Sequence, residues 1–287
     1  NEGVVVRAQR GKGLIVNGQL LAYGSNEAKI WFVADDEEWR GIEIESGVRC
    51  DVEYCVVKQG EQGFDVNGGE VNFEYCCFFF DQLYFRNESN FFIDKSFFNR
   101  ATIKCETATV GEIEYSFFFY DRDSTEYTID INRSKVHFHN NCILGLTNPI
   151  AIRYYSNVEL NHNYIGRCSS GIYCEISNEI SLIENTLDYI GSEYLRLNFH
   201  GTIIIRDNNF LNTFNNIVIF IERTTFRNPH DMDARFNYWD TDDLIRIQNK
   251  IIDNRVTQEG KEGDWQIITS PFLSEKNPKA YPEQTAF

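Results

Sequence analysis

A small residue returns at Cys55, Cys76, Ser96, Ser116, Asn141, Asn163, Asn185, Asn208 and Asn237, mostly about 20–25 residues after the previous one. Three positions before each stands an apolar residue, from Val52 and Phe73 to Ile205 and Ala234. Two positions after each stands another, from Val57 and Phe78 to Phe210 and Trp239. Self-similarity at this period marks a stack of small units that bury their faces only against neighbours. The residues leading into each recurring position alternate, as in Val158-Glu159-Leu160-Asn161, which is a strand with one face buried and one wet. A second strand precedes it in most units, as in Gly63-Phe64-Asp65-Val66 and Gly171-Ile172-Tyr173-Cys174. No helical run separates the strands, so helical crossovers have no room. The chain must coil, laying each strand ~4.8 Å above its counterpart. The predicted fold is all-β: a single-stranded parallel β-helix of about nine to ten coils with a short C-terminal capping helix.

The recurring position lies where the chain turns after a strand, with successive copies superposed. An Asn there can pass hydrogen bonds from coil to coil through its amide, and Ser or Cys can substitute. The competing reading is that Asn serves only the left-handed backbone of a turn.

Composition fits one long core: 23 Phe, 15 Tyr and 4 Trp among 287 residues. The expected divisions are 1–40 as N-terminal cover and first irregular turns, 41–240 as the solenoid, and 241–287 as closing segment. The Phe runs at 78–80, 97–98 and 117–119 read as core stacking. A net charge of −16 argues against nucleic acid and anionic membrane surfaces. No run of apolar residues reaches the ~18 that a membrane span needs. The start at Asn1, without Met or a signal-like segment, suggests a processed product.

Of eight cysteines, Cys50, Cys55, Cys76, Cys105 and Cys174 fall on inward positions and act as small hydrophobes, while Cys77 and Cys142 face elsewhere. Cys55 and Cys76 stack one coil apart with parallel Cβ vectors, so free thiols are expected. The cysteine spacing carries no zinc pattern, and His137, His139 and His162 lack a clear further ligand, so no metal site is predicted. No cofactor is expected, calcium at the corners Asp35-Asp36-Glu37-Glu38 or Asp121-Arg122-Asp123 being the one candidate. Near the end, Thr241 is expected to cap a helix with Asp242 and Asp243 in its first turn. Its apolar stripe would be Leu244, Ile245, Ile247, Ile251 and Ile252, and a loosely held polar tail would run to Phe287.

The stretch Asp233-Ala234-Arg235-Phe236-Asn237-Tyr238-Trp239-Asp240-Thr241, with Gly263-Asp264-Trp265 and Ser270-Pro271-Phe272-Leu273, resembles the closing segment of secreted pectate-lyase-like right-handed parallel β-helix proteins. That segment reads Asn-Trp-Trp-Gly-Thr, then a helix, then Pro-Phe-Leu; here Tyr238 and Asp240 depart from it. Trp39-Arg40-Gly41-Ile42 is similar to the Trp-x-Gly-Ile opening of their first full coil. The resemblance implies right-handed winding and an extracytoplasmic, often carbohydrate-linked setting. It implies no activity, because fold is not function.

The polygalacturonase motifs and the pectate-lyase signature are missing, and Asn228-Pro229-His230-Asp231 resembles a stretch of alginate epimerases only in a loop context. What remains is the outward face of the first strand of each coil. One row reads Glu43, Asp65, Tyr84, Lys104, Asp130, Ala151, Tyr173, Arg196 and Val218; the next includes Arg86, Glu106, Asn132, Arg153, Glu175 and Phe220. Asp65, Tyr84, Arg86, Asp130, Arg153, Tyr173, Glu175 and Arg196 are the candidate ligand-binding residues: planar polar groups grip hydroxyls and tyrosines offer flat apolar faces. The bland reading is a polar sheet face with cross-coil ion pairs. The expected function is a non-catalytic, extracytoplasmic glycan-binding or scaffold protein, with a polysaccharide or cell-surface glycan as partner. The alternative is a polysaccharide lyase or glycoside hydrolase using Lys104, Glu106, Asp130 and Arg153. A trimeric fibre module is the weaker alternative, and the oligomeric state stays open.

Overall fold

The computed structural model describes residues 3–119, 127–175, 179–198, 201–213, 216–222, 225–226, 232–254, 256–257 and 267–282. Three parallel sheets of 10, 11 and 11 strands run side by side along the axis. In each coil the chain crosses sheet A, then B, then C. Sheet A runs from Val5–Ala8 to Asn209–Leu211, sheet B from Gly13–Val16 to Ile251–Asp253, and sheet C from Leu20–Tyr23 to Ile267–Ile268. The molecule is a parallel β-solenoid of about nine turns. The first coil lies within the stretch read as N-terminal cover, at Val5–Ala8, Gly13–Val16 and Leu20–Tyr23.

Alternation fixes what faces inward. On sheet C, Phe73, Ile93, Ile113, Phe138, Leu160, Leu182 and Ile205 follow one another in strict register, all fully buried. Each such side chain contributes ~1.5–3 kcal/mol of burial before entropy is charged. On sheet A, Phe78, Phe98 and Phe118 stack inside at 4.9 and 4.4 Å between centroids. The Phe runs are only half core, however. Phe79, Phe97, Phe117 and Phe119 alternate to the outer face of sheet A, where Phe97 and Phe117 stack at 5.7 Å.

The recurring position forms one interior column: every side chain from Cys55 to Asn237 is 0–2% exposed. Each backbone N–H donates to the side-chain oxygen one coil on, from Cys76 to Ser96 Oγ (3.1 Å) through Asn208 to Asn237 Oδ1 (2.9 Å). The Cys and Asn side chains donate back to the carbonyl of the apolar residue one coil behind, whereas Ser96 Oγ and Ser116 Oγ donate within their own coil, to Asp94 O and Glu114 O. Asn163 Nδ2 thus reaches Phe138 O at 2.9 Å, and the Cys76 thiol reaches Val52 O at 3.3 Å. The left-handed backbone falls one residue earlier, on Tyr54, Tyr75, Lys95, Tyr115, Asn140, His162, Glu184, Asp207 and Phe236. Turn preference therefore does not explain the Asn; the hydrogen-bond ladder does. A second buried hydroxyl column, Ser89, Thr109, Ser134 and Ser156, lines the corner between sheets B and C.

The opening Trp39-Arg40-Gly41 also has a physical reason. Gly41 has φ +103°, and a Cβ there would lie 1.4 Å from Gln62 O. Trp39 beside it is buried and donates from Nε1 to Lys58 O at 3.2 Å.

The closing segment departs from expectation. The helix spans Leu244–Asn249, and its N-cap is Asp243, not Thr241: Asp243 Oδ1 accepts from Ile245 N at 2.9 Å. Thr241 instead accepts from Asp243 N. Ile247 alone of the helix is buried, Ile245 is 69% exposed, and Ile251–Asp253 is a strand of sheet B. The tail is held rather than loose as far as the described residues go. Asn277 exchanges hydrogen bonds with the Asn209 amide at 2.7 and 2.8 Å, and Thr186 Oγ1 donates to Ala280 O. Those contacts cover the last two outer positions of sheet A. Gly263-Asp264-Trp265 and residues 283–287 lie outside the described residues. All eight thiols are free. Among the described residues no helix is long and apolar enough to cross a membrane.

Candidate functional site

The outer face of sheet B carries the polar strip, and strand register brings most of it together. Asp65, Tyr84, Lys104, Asp130, Ala151, Tyr173 and Arg196 are successive partners in one column. The last coil sits two residues off the expected register. Arg196 is opposite Phe220, not Val218, and Leu197 opposite Ile221 brings Glu222 to the end of the neighbouring row. Val218 is fully buried.

Most of the named side chains are engaged with one another. Arg86 forks onto Asp65, Nε to Oδ1 at 2.9 Å and Nη2 to Oδ2 at 3.0 Å, with its guanidinium 5.6 Å from the Tyr84 ring. Asp65 is buried at 7% exposure while the Arg86 side chain keeps 29%, and the hydrogen bond to Asp65 raises the arginine pKa further. Tyr84 donates to Glu106 Oε2 at 2.6 Å; burial and then that carboxylate push the phenol up to about 12. Arg153 pairs with Asp130 at 3.3 Å, and Arg196 donates to Glu222 Oε1 at 2.6 Å. Of the four candidate catalytic residues, Glu106 is thus tied to Tyr84 and Asp130 to Arg153. Lys104 is the strand neighbour of Asp130.

The middle of the strip has a feature that pattern reading missed. Tyr127 and Tyr173 stack at 5.9 Å over Ala151, which is fully buried, and the Arg153 guanidinium lies 5.2 Å from the Tyr127 ring. Burial raises the pKa of both tyrosines. Asn132 and Arg153 are register partners, with Glu175 next in the row. Asn132 Oδ1 and Arg153 Nε are buried and make no hydrogen bond. One is an acceptor in want of a donor, the other a donor in want of an acceptor. Tyr127 has the strand parity of the inward Ile129, so alternation alone assigns it to the core, and neither its outer-face stacking nor the orphaned atoms were legible.

Comparison with protein-family models, curated proteins and solved structures returns no match to this chain. The solenoid therefore rests on its own geometry, and the resemblance of the closing segment remains a resemblance. Asn228-Pro229-His230-Asp231 and Asp121-Arg122-Asp123 lie outside the described residues. In the other acidic corner, Asp35 pairs with Arg7 at 4.0 Å and Glu37 with Arg10 at 2.6 Å, all well exposed.

Proposed function

We propose that the protein is a non-catalytic, extracytoplasmic glycan-binding solenoid. Its ligand lies along the outer face of sheet B, over Tyr127, Asp130, Asn132, Arg153, Tyr173 and Glu175. The observation that carries this is the adjacent orphan pair, Asn132 Oδ1 and Arg153 Nε, beside two stacked tyrosines. A sugar hydroxyl donates and accepts at once, so a single one meets both needs. A buried group without a partner costs ~1–3 kcal/mol, which such a ligand recovers. Nε is part of the Arg153 guanidinium, and that side chain is 30% exposed, so its rotation brings the donor within reach of a ligand. The tyrosines supply apolar contact for the sugar ring.

Pairing also weighs against cleavage. Glycoside hydrolysis needs two carboxyl groups across the scissile bond, one of them a proton donor. Here Glu106 accepts from Tyr84 and Asp130 faces Arg153. The family resemblance, with its right-handed winding and secreted setting, belongs to this proposal.

The test is affinity electrophoresis on a panel of neutral and acidic polysaccharides, run beside reducing-end and unsaturated-uronide assays. Retention without turnover is expected, weakened by Tyr173→Ala and Arg153→Ala. Retention on none of the panel contradicts the reading. Turnover abolished by Lys104→Ala or Asp130→Ala would make the protein a lyase or glycosidase instead.

A further inference from the structure

We infer that two copies of this chain pair through the outer face of sheet A, about a two-fold axis that runs along strand Phe117–Phe119. The seven strands from Cys55–Lys58 to Thr186–Asp188 are consecutive in that sheet. Alternation turns two residues of each to the outside. In one outward row Lys58, Phe79 and Asn99 lead to Phe119, and Leu144, Gly166 and Asp188 follow it. The other row runs from Val56 to Thr186 through Cys77, Phe97, Phe117, Cys142 and Tyr164. In both rows only Lys58 and Asp188 are charged. The outer face of sheet C, by contrast, stacks Glu53, Glu74, Asp94 and Glu114 in a single row. Phe79, Phe97, Phe117 and Phe119 form one run of ring contacts at 5.8, 5.7 and 6.4 Å between centroids, and Phe119 is 38% exposed. Such an apolar patch on an acidic chain marks an interaction surface.

Its charges select a second copy as the occupant. Lys58 lies three strands before Phe119, and Asp188 lies three strands after it. An axis along strand Phe117–Phe119 keeps the strand direction and reverses the stacking order. Phe119 then meets its own copy, Phe97 meets the partner's Cys142, and Lys58 meets the partner's Asp188. The last pair forms twice, once on each side of the axis. A face whose opposite charges are equidistant from its aromatic centre is complementary to itself.

Size and continuity agree. Strands ~4.8 Å apart make the face ~30 Å long, and corner residues such as Phe80 widen it to roughly 20 Å. Two such faces bury on the order of 1,200 Å² in total, where stable interfaces begin. The chain's own tail already covers the far end of this face, at Thr186 and Asn209. The same axis sets Trp31, 41% exposed, opposite the partner's tail where it crosses Asn209. The polar strip on sheet B stays open in both copies.

Sedimentation velocity on the intact protein over a concentration series tests the pairing. A species of twice the 33.5 kDa of one chain is expected. Phe119→Asp should weaken the dimer at least ~30-fold, the loss typical of a central aromatic anchor. Lys58→Glu, which sets two like-charge pairs against each other, should weaken it about 10-fold. Val110→Asp, a change on sheet C at a residue 48% exposed, should leave it unchanged. Circular dichroism checks that the variants are folded. The wild type supplies a readout free of substitutions: alkylation of Cys77 and Cys142 should slow as protein concentration rises. A mass of one chain throughout, or of three, would overturn the pairing. So would a dimer left intact by both Phe119→Asp and Lys58→Glu, which would put the contact on another face.

Discussion

Asn163 makes two hydrogen bonds to a single atom of Asn185: its backbone N–H and its side-chain amide both donate to Asn185 Oδ1, each at 3.0 Å. The same side chain accepts two from Asn141 one coil behind. Each amide is thus at once acceptor, donor and spacer, buried in the column. Replacing it by Leu leaves two buried donors of Asn141 without an acceptor. Asn163→Leu should lower stability by ~1–3 kcal/mol, read as a shift in the urea unfolding midpoint. An unchanged midpoint would mean the column is not a hydrogen-bonded ladder.

Like charges stack on the outside of sheet C, where Glu53, Glu74, Asp94 and Glu114 follow in register. Burial and then Glu112 push Glu114 up to about 7; burial, Glu53 and Asp94 raise Glu74. A carboxyl whose folded pKa exceeds its unfolded value contributes stability below the unfolded pKa and loses it as pH rises through the folded one. The window for Glu114 is therefore from about 4.5 to about 7. His139, lowered by burial, works in the opposite direction, so the comparison must be with a variant. Stability of the wild type should fall more steeply between pH 5 and 8 than that of Glu114→Gln. Superimposable pH profiles would contradict the assignment.

The coil was legible because its inward residues repeat: Phe73, Ile93 and Ile113 keep place with the Cys, Ser or Asn that follows. The corner residue before it was not, because Tyr54, Lys95, His162 and Glu184 share a left-handed backbone but no chemistry. Register failed where slippage by two leaves both faces intact. Ile217-Val218-Ile219-Phe220-Ile221 alternates equally well against Leu195-Arg196-Leu197 in either position, and only the structure chooses Phe220. The strip residues were readable as outward, but their pairing, Arg86 back to Asp65 and Arg196 forward to Glu222, depends on that register. The Asn277–Asn209 strap joins positions 68 residues apart with no motif to announce it.

That strap is itself testable. Asn277→Ala removes the Asn277 Nδ2 bond to Asp207 O (2.7 Å) and loosens the bonds to Asn209. Hydrogen exchange at Thr186 and Asn209–Leu211 should quicken, while that of Val71–Phe73 stays unchanged. Equal rates in both proteins would show that the tail adds nothing to the last coils.

Thiol chemistry should follow burial. Cys77 and Cys142 are half-buried on the outer face of sheet A, and the other six are buried. Burial raises the Cys77 pKa, and burial with Cys168 nearby pushes Cys142 up to about 12. Iodoacetamide on the native protein, followed by mass spectrometry, should label Cys77 first and Cys142 slowly. The remaining six should react only after unfolding. Early labelling of Cys55 or Cys76 would contradict the interior column.

The most direct test of a hydrogen-bonded column running through the coils is side-chain amide hydrogen exchange by NMR. The Nδ2 protons of Asn141, Asn163, Asn185, Asn208 and Asn237 should exchange far more slowly than those of exposed Asn157. Exchange at the Asn157 rate in these five would contradict the ladder, and with it the stacking of the coils.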